Sequence, residues 1–80
     1  MNQYVVMVFE KDGENGLVSQ YNINQLTLAE LQGLFCIDEF NSMFDCYLVS
    51  ESQREYIEKD IGIRLNLLKF DYFISCESNI

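Results

Sequence analysis

The side chains in this sequence that could do chemistry are three closely spaced carboxylates, Asp38, Glu39 and Asp45. Two carboxylates can act as a general acid and a general base, but only where the site shifts a pKa, and the flanking residues predict no such environment. Carboxylate oxygens also bind divalent cations, yet these three lack the spacing of an EF-hand loop. We therefore expect neither catalysis nor a metal site from them.

The remaining residue types also argue against an enzyme. Histidine is absent, which removes the side chain best suited to acid–base work near neutral pH. Gly13 and Gly16 fall in a predicted hairpin, and no lysine follows them in a phosphate-binding pattern. Cys36, Cys46 and Cys76 are odd in number and widely spaced, so we expect unpaired, mostly buried thiols and no zinc site. The sequence predicts a non-enzymatic protein without a cofactor.

Charge is the strongest signal in the sequence. Thirteen acidic residues against five basic ones give a net charge of −8, and no lysine or arginine occurs between residues 12 and 53. Direct binding of nucleic acid is not expected, because phosphate contacts depend on lysine and arginine. A basic protein surface, in contrast, would be attracted and oriented by this field. We expect a binding function with a basic protein partner.

The predicted binding surface combines acidic residues with aromatic anchors. Buried aromatic side chains supply much of the lasting affinity of an interface, whereas the charges around them set encounter and orientation. The predicted partner-binding residues are Asp38, Glu39, Phe40, Phe44, Asp45, Tyr47, Glu51, Glu55 and Glu58. The alternative is that Phe40 and Phe44 cover the core and the acidic residues are merely solvated.

The elements that position these residues begin with a predicted β-hairpin. Residues 4–9 are β-branched and aromatic at both odd and even positions, which is typical of a strand covered on both faces. The Asp-Gly pair at 12–13 and the Asn-Gly pair at 15–16 favour a hairpin turn. Leu17, Tyr21 and Ile23 then indicate a half-exposed second strand.

Two helices are predicted from their caps. Thr27 and Glu30 have the spacing of a capping box, and capping explains Glu30 better than partner binding does. Gly33 should weaken this first helix, whose apolar stripe is Leu28, Leu31, Leu34 and Phe35. The second helix should begin near Ser52, with Ser50 or Ser52 as its cap, and end at Gly62. Its buried stripe is predicted to be Tyr56, Ile57 and Ile61.

Residues 46–49 predict a short third strand, and residues 64–76 a long last strand with a bulge or strong bend near 67–68. The order is then ββαβαβ in a single α+β domain spanning residues 1–80. We expect a mostly antiparallel sheet with both helices on one face.

The chain resembles the small acidic immunity proteins that accompany bacterial contact-dependent growth inhibition toxins and related polymorphic toxins. The resemblance is carried by YVVMVFEKDGENGLVSQYNI, by DCYLVSESQREYI and by FDYFISCES. It implies a protein that binds and neutralises the C-terminal domain of a cognate toxin, often a nuclease acting on tRNA or DNA. It assigns no individual binding residues.

Two alternatives stay open. The chain could be a phage- or plasmid-encoded inhibitor that mimics nucleic acid, or a structural or regulatory domain whose acidity maintains solubility. The reduced cysteines, and the absence of any apolar run long enough for a signal or a membrane span, predict a cytoplasmic location away from membranes.

Overall fold

The structure is a computed structural model, and it describes residues 2–11, 16–38 and 46–78. This part of the chain forms four strands and two helices. The elements are β1 (Asn2–Glu10), β2 (Leu17–Asn22), α1 (Leu28–Leu34), β3 (Tyr47–Leu48), α2 (Glu51–Ile61) and β4 (Phe70–Ser78). The predicted α+β class, the order ββαβαβ and the N-terminal hairpin are confirmed. Neither of these two helices is long and apolar enough to cross a membrane.

The sheet is antiparallel throughout, with the strand order β2-β1-β4-β3. Its centre is therefore the pair β1 and β4, in which Val6 lies opposite Ile74. Alternate residues of β1, Val6 and Val8, are buried on the face that carries the helices, and Val5 is buried on the opposite parity. Apolar residues at both odd and even positions thus identify β1 as a central strand of the sheet.

A single hydrophobic cluster joins the sheet to both helices. Val6 and Ile74 from the sheet belong to it together with Leu31 of α1 and Ile57 of α2, and all four are fully buried. Both helices therefore cover the same face, as predicted. Burial of a large aliphatic side chain stabilises the fold by about 1.5–3 kcal/mol, so these positions dominate its stability.

The first helix begins and ends through local hydrogen bonds. The Glu30 amide donates to Thr27 Oγ1 at 3.2 Å and the Thr27 amide to Glu30 Oε1 at 3.1 Å, which confirms the capping box. At the other end the Ile37 amide bonds Gln32 O and the Cys36 amide bonds Gly33 O, the two bonds of a Schellman motif. Cys36 has φ 55°, a left-handed conformation that glycine adopts more easily.

The second helix follows the predicted caps but not the whole predicted stripe. Ser50 precedes it, its amide donating to Gln53 Oε1 at 2.8 Å, and Gly62 ends it with φ 73°. Ile57 and Ile61 pack on the core, but the burial predicted for Tyr56 is wrong because its side chain is 56% exposed. One residue turns the helix by about 100°, which carries Tyr56 off the stripe that contains Ile57.

The predicted long last strand is wrong in its first half. Residues 67–69 form a turn and β4 begins at Phe70. Asn66 closes this turn, because its side-chain oxygen accepts from the Leu68 and Lys69 amides and its carbonyl from Phe70 N. The change of parity near 67–68 thus marks a chain reversal, which leaves Leu68 92% exposed.

The predicted burial of the cysteines is also wrong for two of the three. Cys36 and Cys46 are exposed, Cys76 is half-buried, and all three are free thiols. Cys36 lies in the left-handed turn after α1, outside the apolar stripe. Cys46 precedes the two-residue β3 at the sheet edge, where its Sγ lies 3.6 Å from Ser75 Oγ. Neither position is covered by another element among the described residues.

Two side chains of α2 tie it to both ends of α1. Gln53, in the first turn of α2, donates from Nε2 to Leu34 O at 3.2 Å. Asp60, in the last turn, accepts from the amides of Asn24, Gln25 and Leu26 at 2.6, 2.7 and 2.9 Å. The start of α2 therefore lies at the end of α1, and its end at the start of α1, so the helices run antiparallel.

Replacing Asp60 by alanine should destabilise the fold by about 1–2 kcal/mol, because three backbone amides lose their acceptor. Alanine has a higher helix propensity than aspartate, so a loss of stability cannot come from helix propensity. Chemical denaturation measures it. Glu55→Ala is the matched control on the same helix, since its carboxylate only lies 3.9 Å from Lys59, and should change stability by less than about 0.5 kcal/mol. Equal effects in both variants would contradict the role of Asp60.

Replacing Cys36 by glycine should stabilise the fold by about 0.5–1 kcal/mol, because the left-handed backbone no longer opposes a Cβ. The midpoint of urea unfolding measures the gain. Cys36→Ala is the control: it removes the thiol and keeps the Cβ, so it should not stabilise. A similar gain in both variants would assign the effect to the thiol and not to the backbone.

Candidate partner-binding surface

The structure describes five of the nine predicted binding residues: Asp38, Tyr47, Glu51, Glu55 and Glu58. Glu39, Phe40, Phe44 and Asp45 lie outside the described residues. The five are distributed over three parts of the fold: three are on α2, one is in β3 and one follows α1.

Tyr47 has a packing role. It lies opposite Ile74 in the sheet, and its ring centroid is 6.1 Å from that of Phe35 at the end of α1. Its side chain is half-buried against the core cluster. Asp38, three residues after Phe35, is exposed.

The three glutamates of α2 lie among basic side chains. Arg54 Nε is 2.6 Å from Glu51 Oε1, and Arg54 Nη1 is 3.0 Å from Glu58 Oε1. Lys59 Nζ lies 3.9 Å from Glu55 Oε1. Arg64 lines the same depression as Glu55 and Glu58. This face, which we call the α2 outer face, carries three carboxylates and three basic groups, so its net charge is zero.

Glu58 is engaged within the fold. Its Oε2 accepts from the Leu65 amide at 2.7 Å, and its side chain is only 19% exposed. The Leu65 amide is the main cause that holds the pKa of the Glu58 carboxyl below its usual range, and burial opposes that effect. Arg54 and Arg64 lower this pKa further. Glu58 thus links α2 to the segment that leads into β4.

The charge at one end of the sheet is balanced as well. Lys11 Nζ is 3.9 Å from Asp71 Oδ1, and Lys69 Nζ lies 5.4 Å from the centroid of Phe70. With Glu10, these residues contribute two carboxylates and two ammonium groups.

Eight carboxylates lie outside these two groups, a number equal to the net charge of −8. They are Asp12, Glu14, Glu30, Asp38, Glu39, Asp45, Asp60 and Glu77. The structure describes the side chains of Glu30, Asp38 and Asp60. Glu30 is in the first turn of α1, Asp60 binds the amides before it, and Asp38 follows its end. The three described carboxylates outside the two balanced groups thus accompany α1.

A groove separates α1 from α2. Leu26, Glu30, Gly33, Leu34 and Tyr56 line one part of it, with a volume of about 390 Å³. The second part, of similar volume, shares three of these residues. It adds Gln25, Lys59 and Asp60. The groove is open along the surface, and the exposed ring of Tyr56 forms one wall.

Sequence reasoning misses two of the three α2 residues that line this groove. The apolar pattern predicts Tyr56 in the core, and no pattern predicts a role for Asp60. A signal existed for Asp60, since a carboxylate in the last turn of a helix is unfavourable to the helix dipole and implies a compensating contact. Its partners, the amides at 24–26, are more than thirty residues away and leave no local pattern.

The described residues contain no candidate metal site. Within residues 2–11, 16–38 and 46–78, no group of three or more histidine, cysteine, aspartate or glutamate side chains could hold a metal ion. On the sheet face opposite the helices, Met7, Phe9 and Phe73 line an apolar depression next to Cys46, with Phe9 and Phe73 in edge contact at 5.7 Å.

These features define a small acidic α+β domain with an unbalanced charge beside one helix and a groove between two. The chain belongs to a family of domains of unknown function, DUF7683, which matches residues 3–75. The matched range runs from β1 into β4 and includes both helices. No curated protein and no solved structure matches the chain.

The lowered pKa of Glu58 predicts a specific dependence of stability on pH. A carboxyl whose pKa is lower in the folded than in the unfolded protein stabilises the fold above its unfolded pKa, near 4.5. That contribution is lost as the pH falls from about 4.5 through the folded pKa. Thermal unfolding between pH 7 and pH 3 should therefore show a smaller fall for Glu58→Gln than for the native protein. Glu55→Gln, outside this network, should keep the native profile; identical profiles for all three proteins would contradict the assignment.

Proposed function

We propose that this protein is an immunity protein that binds and neutralises a basic toxin domain in the cytoplasm. The toxin is of the nuclease class, and the protein covers its substrate-binding surface. The observation that supports this most directly is the placement of the Glu30 and Asp60 carboxylates beside α1, in a chain of net charge −8. The resemblance of the hairpin, the β3–α2 segment and β4 to immunity proteins supplies the toxin as the partner.

The physical reason is complementarity of charge. A nuclease holds phosphates with lysine and arginine side chains, so its substrate cleft is positive. An acidic domain is attracted to such a cleft, which raises the association rate and orients the complex before contact. Neutralisation then requires only that the complex dissociate too slowly for the substrate to reach the cleft.

The same reasoning favours the α1 side over the α2 outer face. Basic side chains within 4 Å already neutralise Glu51, Glu55 and Glu58, so a partner facing them gains little attraction. Glu30 and Asp60, on the α1 side, are held by Thr27 and by backbone amides, which leave their negative charge in place. We therefore expect the toxin to contact the α1 side, with the glutamates of α2 at the rim.

The experiment that tests the function uses the gene next to the one that encodes this protein. The C-terminal domain of the neighbouring product is expressed with and without this protein in a bacterial host. The expected result is arrest of growth by the domain alone, restored growth on co-expression, and a complex that co-purifies. A neighbouring domain that is harmless, or toxic but neither bound nor neutralised, would overturn the proposal.

In that complex, Asp38→Lys should slow association by about 3- to 10-fold at low salt and reduce the salt dependence of the association rate. Glu55→Lys is the matched control: it makes the same change in total charge, but on the α2 outer face, and should have a clearly smaller effect. Stopped-flow kinetics across a salt series measures both. Equal slowing would mean that only the total charge matters and would contradict binding at the α1 side.

A further inference from the structure

We propose that the groove between α1 and α2 receives an arginine side chain of the basic partner, seated over Gly33. The inference rests on the proposed function in one respect, since the toxin domain is the protein that brings the arginine. The groove itself is a property of this chain.

Gly33 has no reason within the fold to be glycine. It is the last but one residue of α1, its φ is not positive, and a Cβ built on it would meet no atom within 4 Å. Glycine has a low helix propensity, and neither packing nor a left-handed backbone requires it at this position. What it does provide is an uncovered stretch of helix backbone on the floor of the groove, where another group can approach closely.

The walls of the groove suit the two parts of an arginine side chain. Leu26 and Leu34 offer an apolar lining for the aliphatic stem. The exposed ring of Tyr56 offers a face on which a planar guanidinium can stack, which an ammonium group does less well.

Glu30 supplies a fixed negative charge at the same place. Its Oε1 accepts from the amide and the hydroxyl of Thr27, both at 3.1 Å, which holds the carboxylate in position. Its second oxygen, Oε2, accepts no hydrogen bond within the described part of the chain and can accept one from a guanidinium. Asp60 adds a second negative charge along the groove, against the single positive charge of Lys59, whose Nζ lies by Glu55.

The first test fills the groove without harming the helix. Gly33→Gln places a side chain over the floor and, as a better helix former, should raise the melting temperature of the free protein. The dissociation constant of the toxin-domain complex should nevertheless rise by about 10-fold or more, because the arginine loses its seat. Ala29→Gln is the matched control, since Ala29 is exposed on the same helix outside the groove. It should change the dissociation constant by less than about 2-fold.

Two further variants separate charge from shape. Glu30→Gln keeps the capping box, since glutamine also serves at that position, but removes the charge, and should weaken the complex by about 10-fold. Tyr56→Phe keeps the ring and should bind as the native protein does, whereas Tyr56→Ala should weaken binding. If Gly33→Gln binds as tightly as Ala29→Gln in a complex that does form, the groove inference is wrong and the proposed function stands.

An independent arm needs no toxin. N-acetyl-arginine amide is titrated into the isotopically labelled free protein, and the neutral isostere N-acetyl-citrulline amide serves as control. The expected result is movement of the amide resonances of Gly33 and Tyr56 with arginine alone, and its loss in Gly33→Gln. Shifts that scatter over the surface, that citrulline reproduces, or that do not occur would overturn the inference. Localised shifts without any toxin complex would support the groove while the proposed function fails.

Discussion

The arrangement of the helices depends on the hydrogen bonds that the carboxylate of Asp60 accepts. By accepting from three consecutive amides ahead of α1, it fixes the entry of that helix against the last turn of α2. Gln53 does the same at the other end through Leu34 O. A helix of seven residues is too short to be stable in isolation. The first helix therefore exists because α2 and the sheet hold it, and the groove exists because the helices are tied at their ends.

The distribution of charge follows from the same architecture. The outer side of α2 contains an internal network in which Arg54 serves two glutamates. On the α1 side, Thr27 and backbone amides satisfy the carboxylates of Glu30 and Asp60. Hydrogen bonds of that kind stabilise an anion without cancelling its charge. One side of the domain is thus electrically neutral and the other negative, although both are rich in carboxylates.

Local signals in the sequence were sufficient for most of the fold. The capping residues Thr27 and Ser50, the terminating Gly62 and the two-sided apolar pattern of β1 each act within a few residues, and each is found where predicted. The failures have longer-range or competing causes. Residues 64–69 carry the composition of a strand, but the turn closed by Asn66 and the bond from its amide to Tyr72 Oη determine their path.

The candidate site was less accessible to prediction for the same reason. Its charge could be counted from the sequence, but the neutralisation of the α2 glutamates depends on which basic side chains lie beside them in space. The sequence pattern predicts Tyr56 in the same buried stripe as its neighbour Ile57. The orientation of the helix, which leaves Ile57 buried and Tyr56 exposed, cannot be obtained from that pattern. The groove joins residues from 25 to 60, which no local pattern connects.

The strand order also bears on how the chain folds during synthesis. Of these elements, β1 is synthesised first. Its longest strand pairing is with β4, which leaves the ribosome last. Until β4 emerges, β1 has no partner strand on one edge. The side chains of Leu31 and Ile57 then lack part of the sheet that buries them. Folding of the core is therefore late and rests on non-local pairing, which is slow. During that interval the net negative charge, by mutual repulsion, keeps the unfinished chains apart.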